Sequence, residues 1–311
     1  MEIRQLRTVL AIAETGSLTR AAELLHVVQP ALSRQLKQLE DELGTSLFER
    51  NRSGMLLTES GRRFVDQVRV SLHGLYQAKA EIGAASENLM GSVAIGMLPG
   101  LGAALSGTIV TSLRKQYPEL KVRLLTGFTD VLQEGLERGK IDICLMGDYL
   151  QSALLHTAPV YREPLYVVGL PGSGLQASQP WALADVAQLP LVIPEGRSLR
   201  NVIERACTII GADLNLVAES DSTSIVMQLV ESGVGYTILP VMPIRPLLLE
   251  GKLVAAPIVS PTLRRTIKIC SPVIAKDQHV INVLRAELLT MLEPFVASFA
   301  SWGVEWLMGE G

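Results

Sequence analysis

The segment opened by Gln29-Pro30 constrains this sequence most. Leucines at positions 32, 36, 39 and 43 recur at i, i+4, i+7 and i+11, the spacing that lays one apolar stripe along an α-helix. Pro30 fits the start, because the first helical turn has N–H groups without an intrahelical acceptor. The opposite face carries Gln29, Ser33, Arg34, Lys37 and Gln38, and the acids Glu40, Asp41 and Glu42 come only at the far end. Such a helix must pack its leucines on neighbours, and two shorter helical patterns precede it. Leu6, Val9, Leu10 and Ala13 share one face and end at Glu14-Thr15-Gly16, a glycine suited to a C-cap. Ser17 can then cap a second helix whose inner side is Ala21, Ala22, Leu24 and Leu25.

A helix pair joined by a short turn can set its second member in the major groove of DNA. Arg34 suits guanine or phosphate, Gln29 suits adenine, and Ser33 and Lys37 suit the backbone. Spacing alone fits a merely solvated helix face equally well. Charge does not decide it, since residues 1–58 hold seven basic and seven acidic side chains. The next segment shifts the reading toward DNA. Leu47-Phe48-Glu49-Arg50 and Met55-Leu56-Leu57-Thr58 flank Asn51-Arg52-Ser53-Gly54, a polar turn between apolar ends, as in a β-hairpin wing. Arg50 and Arg52 at its tip would meet phosphates.

Thr58 is placed to cap a long, proline-free helix over residues 59–89. Its heptad seam has Val65 and Leu72 at one core position and Val68, Leu75, Ile82 and Leu89 at the other. That stripe needs cover from a partner chain or from the chain's own remaining domain. From Gly91 onward strands and helices alternate, which predicts a parallel α/β sheet. Predicted strands are residues 92–97, 121–125, 141–145, 165–170, 191–194, 215–218 and 236–239. In such sheets ligands bind beyond the strand carboxyl ends, where helix N-termini favour an anion.

Composition agrees. A chain of 311 residues, 48% of them hydrophobic, supports sizeable cores, and a net charge of −3 excludes histone-like binding. Cys144, Cys207 and Cys270 are scattered and form no disulfide framework or metal-ligand pair. The amino terminus has no signal-peptide core and no run is long enough to span a membrane, so a cytoplasmic protein is expected, without metal or cofactor.

The ordered series Gly16-Ser17-Leu18, Ala21-Ala22, Gln29-Pro30-Ala31-Leu32-Ser33, Gln38-Leu39-Glu40, Leu43-Gly44, Leu47-Phe48-Glu49-Arg50 and Leu57-Thr58-Glu59-Ser60-Gly61 resembles the LysR-type transcriptional regulators. The resemblance implies an α+β multidomain chain. Residues 1–58 would be a winged helix-turn-helix and 59–89 a dimerising linker helix. Residues 90–311 would form a two-lobed α/β effector domain similar to periplasmic binding proteins. Lobe I would hold about 90–161 and 266–311, and lobe II about 162–265. By the same resemblance DNA contacts fall on Gln29, Pro30, Ser33, Arg34 and Lys37, with Arg50 or Arg52 from the wing. The implied partners are double-stranded promoter DNA, a small-molecule effector, further copies of the chain as dimer or tetramer, and RNA polymerase.

Landmarks at Gly127-Phe128-Thr129 and Val230-Glu231-Ser232-Gly233 also look like the family's and place the effector among Pro99, Gly100, Thr129, Arg197, Ser198 and Thr223. Arg197 or Arg200 could clamp a carboxylate, although Thr129, Ser198 and Thr223 are equally fit to cap helices. Met97-Leu98-Pro99 lacks the hydroxyl many relatives place in this loop, so carboxylate capture there would rest on backbone. Trp302 and Trp306 are expected to pack on their own domain or a neighbouring subunit. GxSxG, HExxH, P-loop and GxGxxG signatures are absent, which leaves no sequence case for an enzyme.

Overall fold

A computed structural model of the chain describes residues 1–25, 27–51, 54–65, 67–68, 71–72, 89–148, 152, 154–273, 275 and 277–308. Three helices come first: α1 (Ile3–Thr15), α2 (Leu18–Leu24) and α3 (Gln29–Leu43). Their ends are chemically marked. Gly16 and Gly44 close α1 and α3 in the left-handed conformation, with φ of 60° and 66°. The Ser17 hydroxyl accepts the Arg20 N–H at the start of α2, which satisfies one of the donors a helix start leaves over. Val9, Leu10, Ile12, Ala21, Leu32, Leu36 and Leu39 form their common core. Thr8 of α1 donates to Gln35 of α3 at 2.7 Å across it. Leu43 does not join, being 37% exposed. The helix ends at that residue, past the edge of the core.

An antiparallel wing follows, β1 (Phe48–Asn51) on β2 (Gly54–Leu57). Two anchors hold it. The Glu40 carboxylate accepts the Leu47 and Phe48 N–H groups at 2.7 and 3.2 Å, and the Met55 N–H donates to the Gly16 carbonyl at 2.8 Å. Helix α4 begins at residues 59–65, with the Thr58 hydroxyl accepting the Gly61 N–H at 2.9 Å. Val65, Val68 and Leu72 are buried in the N-terminal core, which Val273 of the larger domain also joins. The first three seam residues are therefore covered within the chain, and Leu89 lies in the other core. Leu75 and Ile82 lie outside the described residues.

The larger domain winds β3 (Gly91–Met97), α5 (Pro99–Gln116), β4 (Leu120–Thr126), α6 (Thr129–Glu137) and β5 (Ile143–Met146) into a first lobe. Strand β6 (Leu155–Gly169) leaves it. The second lobe holds β7 (Trp181–Ala182), α7 (Leu183–Gln188), β8 (Leu191–Pro194), α8 (Arg197–Ile210), β9 (Leu216–Ser220), α9 (Thr223–Glu231), β10 (Thr237–Pro240), α10 (Val241–Leu249) and β11 (Val254–Val259). Strand β12 (Arg264–Pro272) returns to α11 (Gln278–Ala297) and a short β13 (Glu305–Trp306).

The sheets are mixed where the sequence predicts parallel ones. β3 runs parallel to β4 and β5, and β8 to β9. β12, however, lies antiparallel to β5 and to β6 over the whole of β12, and β10 and β11 lie antiparallel to β6. The reason is geometric: the chain leaves one lobe along β6 and comes back along β12, so the two must run in opposite directions. β6 also starts ten residues before its predicted start, since its first two thirds, Leu155–Pro164, contain two prolines and read as loop. Pro159 sits opposite Lys268, beside a register shift at Ile267/Lys268, a place where a missing N–H is tolerated. The C-terminal tail packs on its own domain. β13 pairs with Tyr161 and Arg162, and Trp302 meets Tyr166 edge-on at 5.4 Å while its carbonyl accepts the Tyr166 hydroxyl at 2.6 Å.

Two glycines give opposite expectations. A Cβ on Gly54, at φ +127°, would stand 2.3 Å from the Gly16 carbonyl oxygen. Gly54→Ala should cost roughly 1–3 kcal/mol, read as faster amide exchange in α1 and the wing, because all three tryptophans lie in the other domain. Gly107 in α5 has open space, so Gly107→Ala should gain about 0.5–1 kcal/mol.

Candidate functional site: a helix face and an inter-lobe cleft

Burial of Leu32, Leu36 and Leu39 turns the other side of α3 outward. Pro30, Arg34 and Lys37 are exposed, and Gln29 and Ser33 half-buried. Arg50 is exposed on the wing; Arg52 lies outside the described residues. Ser33 and Lys37 from α3 and Arg50 and Met55 from the wing line one concave surface, with Glu40 and Asp41 at its far end. Among the described residues, Arg34, Lys37 and Arg50 take part in no ion pair, whereas Arg63, Arg138, Arg200, Arg264 and Arg265 do. The Glu40 carboxylate accepts two backbone N–H groups and so acts as a wing anchor. The surface thus offers cations and polar donors in a concavity that one nucleic-acid backbone can enter.

The second site is a cleft between the lobes. The first turns of five helices meet there: Pro99 and Gly100 of α5, Thr129 of α6, Ser198 of α8, Thr223 of α9, and Met242 and Pro243 of α10. None of these hydroxyls caps its helix. Thr129 Oγ1 and Ser198 Oγ are buried without a hydrogen-bond partner. Leu98, Phe128, Tyr161, Leu239, Met242 and Pro243 supply apolar walls. Glycines let the lobes close. A Cβ on Gly100 would meet Pro243 at 2.8 Å, on Gly147 the Ser198 hydroxyl at 2.4 Å, and on Gly196 the Phe128 ring at 2.7 Å. The remaining space open to water-sized groups is about 40 Å³, room for roughly three waters.

Arg197 is not brought into this cleft. It is the first residue of α8 and exposed, while its neighbour Ser198, about 100° further round the helix, is buried. Arg200 is occupied by Glu204 at 2.6 Å and by Glu219. The charged pair at the floor is one that the sequence reading missed. Glu163 of β6 and Arg265 of β12 stand directly opposite in register, with Oε1 and Nε 2.7 Å apart. Glu163 is fully buried and its Oε2 has no partner. Burial raises its carboxyl pKa and the Arg265 guanidinium opposes that. Tyr161 beside it is pushed well up by burial, and the adjacent Glu163 charge adds to the rise. The cysteines lie elsewhere, all three buried; burial raises the Cys144 thiol, which faces Cys270 across β5 and β12.

Arg265→Met tests the pair. Removing one partner of a buried ion pair should cost about 3–5 kcal/mol at neutral pH. The folded-state carboxyl would then titrate above its unfolded value. The loss should therefore be small in acid and grow as pH rises through the carboxylate range, as followed by urea unfolding at acid and neutral pH.

Comparison with known proteins matches the helical region and the lobes separately. A model of the bacterial regulatory helix-turn-helix proteins of the lysR family matches residues 3–62, and a model of the LysR substrate binding domain matches residues 86–293. The DNA-binding transcriptional dual regulator OxyR of Escherichia coli K12 is 30% identical over 299 residues, covering 93% of this chain and 96% of the relative. The HTH-type transcriptional regulator BsdA of Bacillus subtilis 168 is 32% identical over 245 residues, covering 78% and 84%. Full-length OxyR from Pseudomonas aeruginosa superposes with a TM-score of 0.57 at 26% identity, covering 93% of this chain and 99% of that one. Full-length CbnR in complex with its target DNA, at 22% identity, TM-score 0.53 and coverage of 94% and 99%, shares the fold. With both parts matched in order and relatives aligned along nearly the whole length, the chain belongs to the LysR family of DNA-binding transcriptional regulators, which join a winged helix-turn-helix to an effector-binding domain.

Proposed function

We propose that the outward face of α3 reads double-stranded promoter DNA, with Gln29, Pro30, Ser33, Arg34 and Lys37 in the major groove and Arg50 and Arg52 on phosphates. The observation that carries this is the pair of unengaged cations Arg34 and Lys37, exposed opposite the leucine core and beside the wing. The division into residues 1–58, 59–89 and 90–311, with lobes of about 90–161 plus 266–311 and 162–265, is part of the same reading. It puts the linker between two readers, so copies pair and the target is a partial palindrome.

The cleft is the effector site, lined by Pro99, Gly100, Thr129, Ser198 and Thr223; Arg197 takes no part. The guest acts by binding one lobe arrangement better than another, since only differential affinity shifts an equilibrium. RNA polymerase is the partner through which bound DNA becomes regulated transcription, the chain performs no catalysis, and it works in the cytoplasm, where the DNA is. Among the described residues no helix is long and apolar enough to cross a membrane.

Retention of DNA upstream of the chain's own gene tests the reading. Binding should weaken steeply as salt rises. Arg34→Ala should lose about 1–3 kcal/mol and blur discrimination at one base position, whereas Lys37→Ala should weaken all sequences alike and lower the salt slope by about one. Unchanged retention in Arg34→Ala would remove α3 from the interface.

A further inference from the structure

We propose that the effector is a small amphoteric molecule of the amino-acid class. Its acid group would lie against the converging helix starts and its ammonium against Glu163. The inference rests on the cleft being the effector site and adds what that site selects.

Two opposed features of the cleft argue for it. Five helices present their first turns to one space, and each leaves N–H groups and partial positive charge at its start. Buried hydroxyls of Thr129 and Ser198, one from each lobe, stand there without partners. An acid group satisfies both. Yet the floor holds a fully buried carboxylate, Glu163, with one oxygen on Arg265 and the other unpartnered. Arg265, the only cation lining the cleft among the described residues, gives its Nε–H to that carboxylate. A simple carboxylate guest would leave Glu163 Oε2 unsatisfied, and a buried acceptor without a donor is costly. An amine alone would leave the hydroxyls and helix starts unmatched. A molecule carrying both groups completes both ends. With about 40 Å³ open in this lobe arrangement, the guest is small and its entry parts the lobes.

The test uses full-length protein and three probes sharing a skeleton: alanine, propionate and ethylammonium, compared by calorimetry or ligand-observed NMR. Alanine should bind at least about tenfold more tightly than either fragment, as two charge-assisted contacts exceed one. Glu163→Gln, which keeps an acceptor for Arg265, should remove alanine's advantage over propionate. Propionate equalling alanine, no binding by any of the three, or an advantage that survives Glu163→Gln would overturn the proposal. The wild-type comparison decides the question even if the variant fails to fold. DNA retention by the wild-type chain, measured alongside, reports separately on the regulator reading: retention with propionate preferred sinks only the effector class.

Discussion

Burial of one leucine stripe fixes what α3 can do. Leu32, Leu36 and Leu39 sit at no more than 5% exposure in a core shared with α1 and α2, and at roughly 1.5–3 kcal/mol per buried leucine the helix cannot rotate about its axis without losing more than any surface contact returns. The outward residues therefore hold their direction without help from a ligand. Thr8–Gln35 and the Glu40 bonds to the wing set the height and tilt of that face. A rigid reader of this kind spends little ordering entropy on binding. It can be moved as a unit by whatever holds its other end.

What holds it is the linker and, behind it, the two-lobed domain. Among the described residues only β6 and β12 run from lobe to lobe, paired along the whole of β12, with Glu163 and Arg265 facing each other where they cross. The ion pair thus lies at the point about which the lobes would turn. Glycines at 100, 147 and 196 permit close contact between the lobes, so a guest entering the cleft must alter that contact. Val273, one residue beyond β12, packs with Val65, Val68 and Leu72. The return strand therefore leads directly from the cleft floor to the start of the linker, a continuous path by which closure can reach the reader.

Much of this was legible because it is local. Pro30, Gly16, Ser17 and Thr58 mark helix ends by chemistry that acts within a few residues, and the wing shows as a polar turn between apolar arms. Pro99, Gly100, Thr129, Ser198 and Thr223 line the cleft because they begin helices that follow strands. Distant pairings were not legible. Glu163 and Arg265 are 102 residues apart and look like surface charges in Arg162-Glu163-Pro164 and Arg264-Arg265-Thr266 until the strands are aligned. Arg197 was misplaced by a single step of helical rotation. Leu43 continued a spacing that outlasted the core it served, and the prolines of β6 concealed a strand that tolerates Pro159 beside a bulge.

The central claim is that two copies of the α3 face read one duplex. Nuclease footprinting of the full-length chain on the DNA upstream of its own gene tests this most directly. The expected result is two protected, inverted half-sites whose centres lie about 10–10.5 base pairs, or a multiple of that, apart. A single protected segment without an inverted repeat, or no protection at low salt, would contradict it.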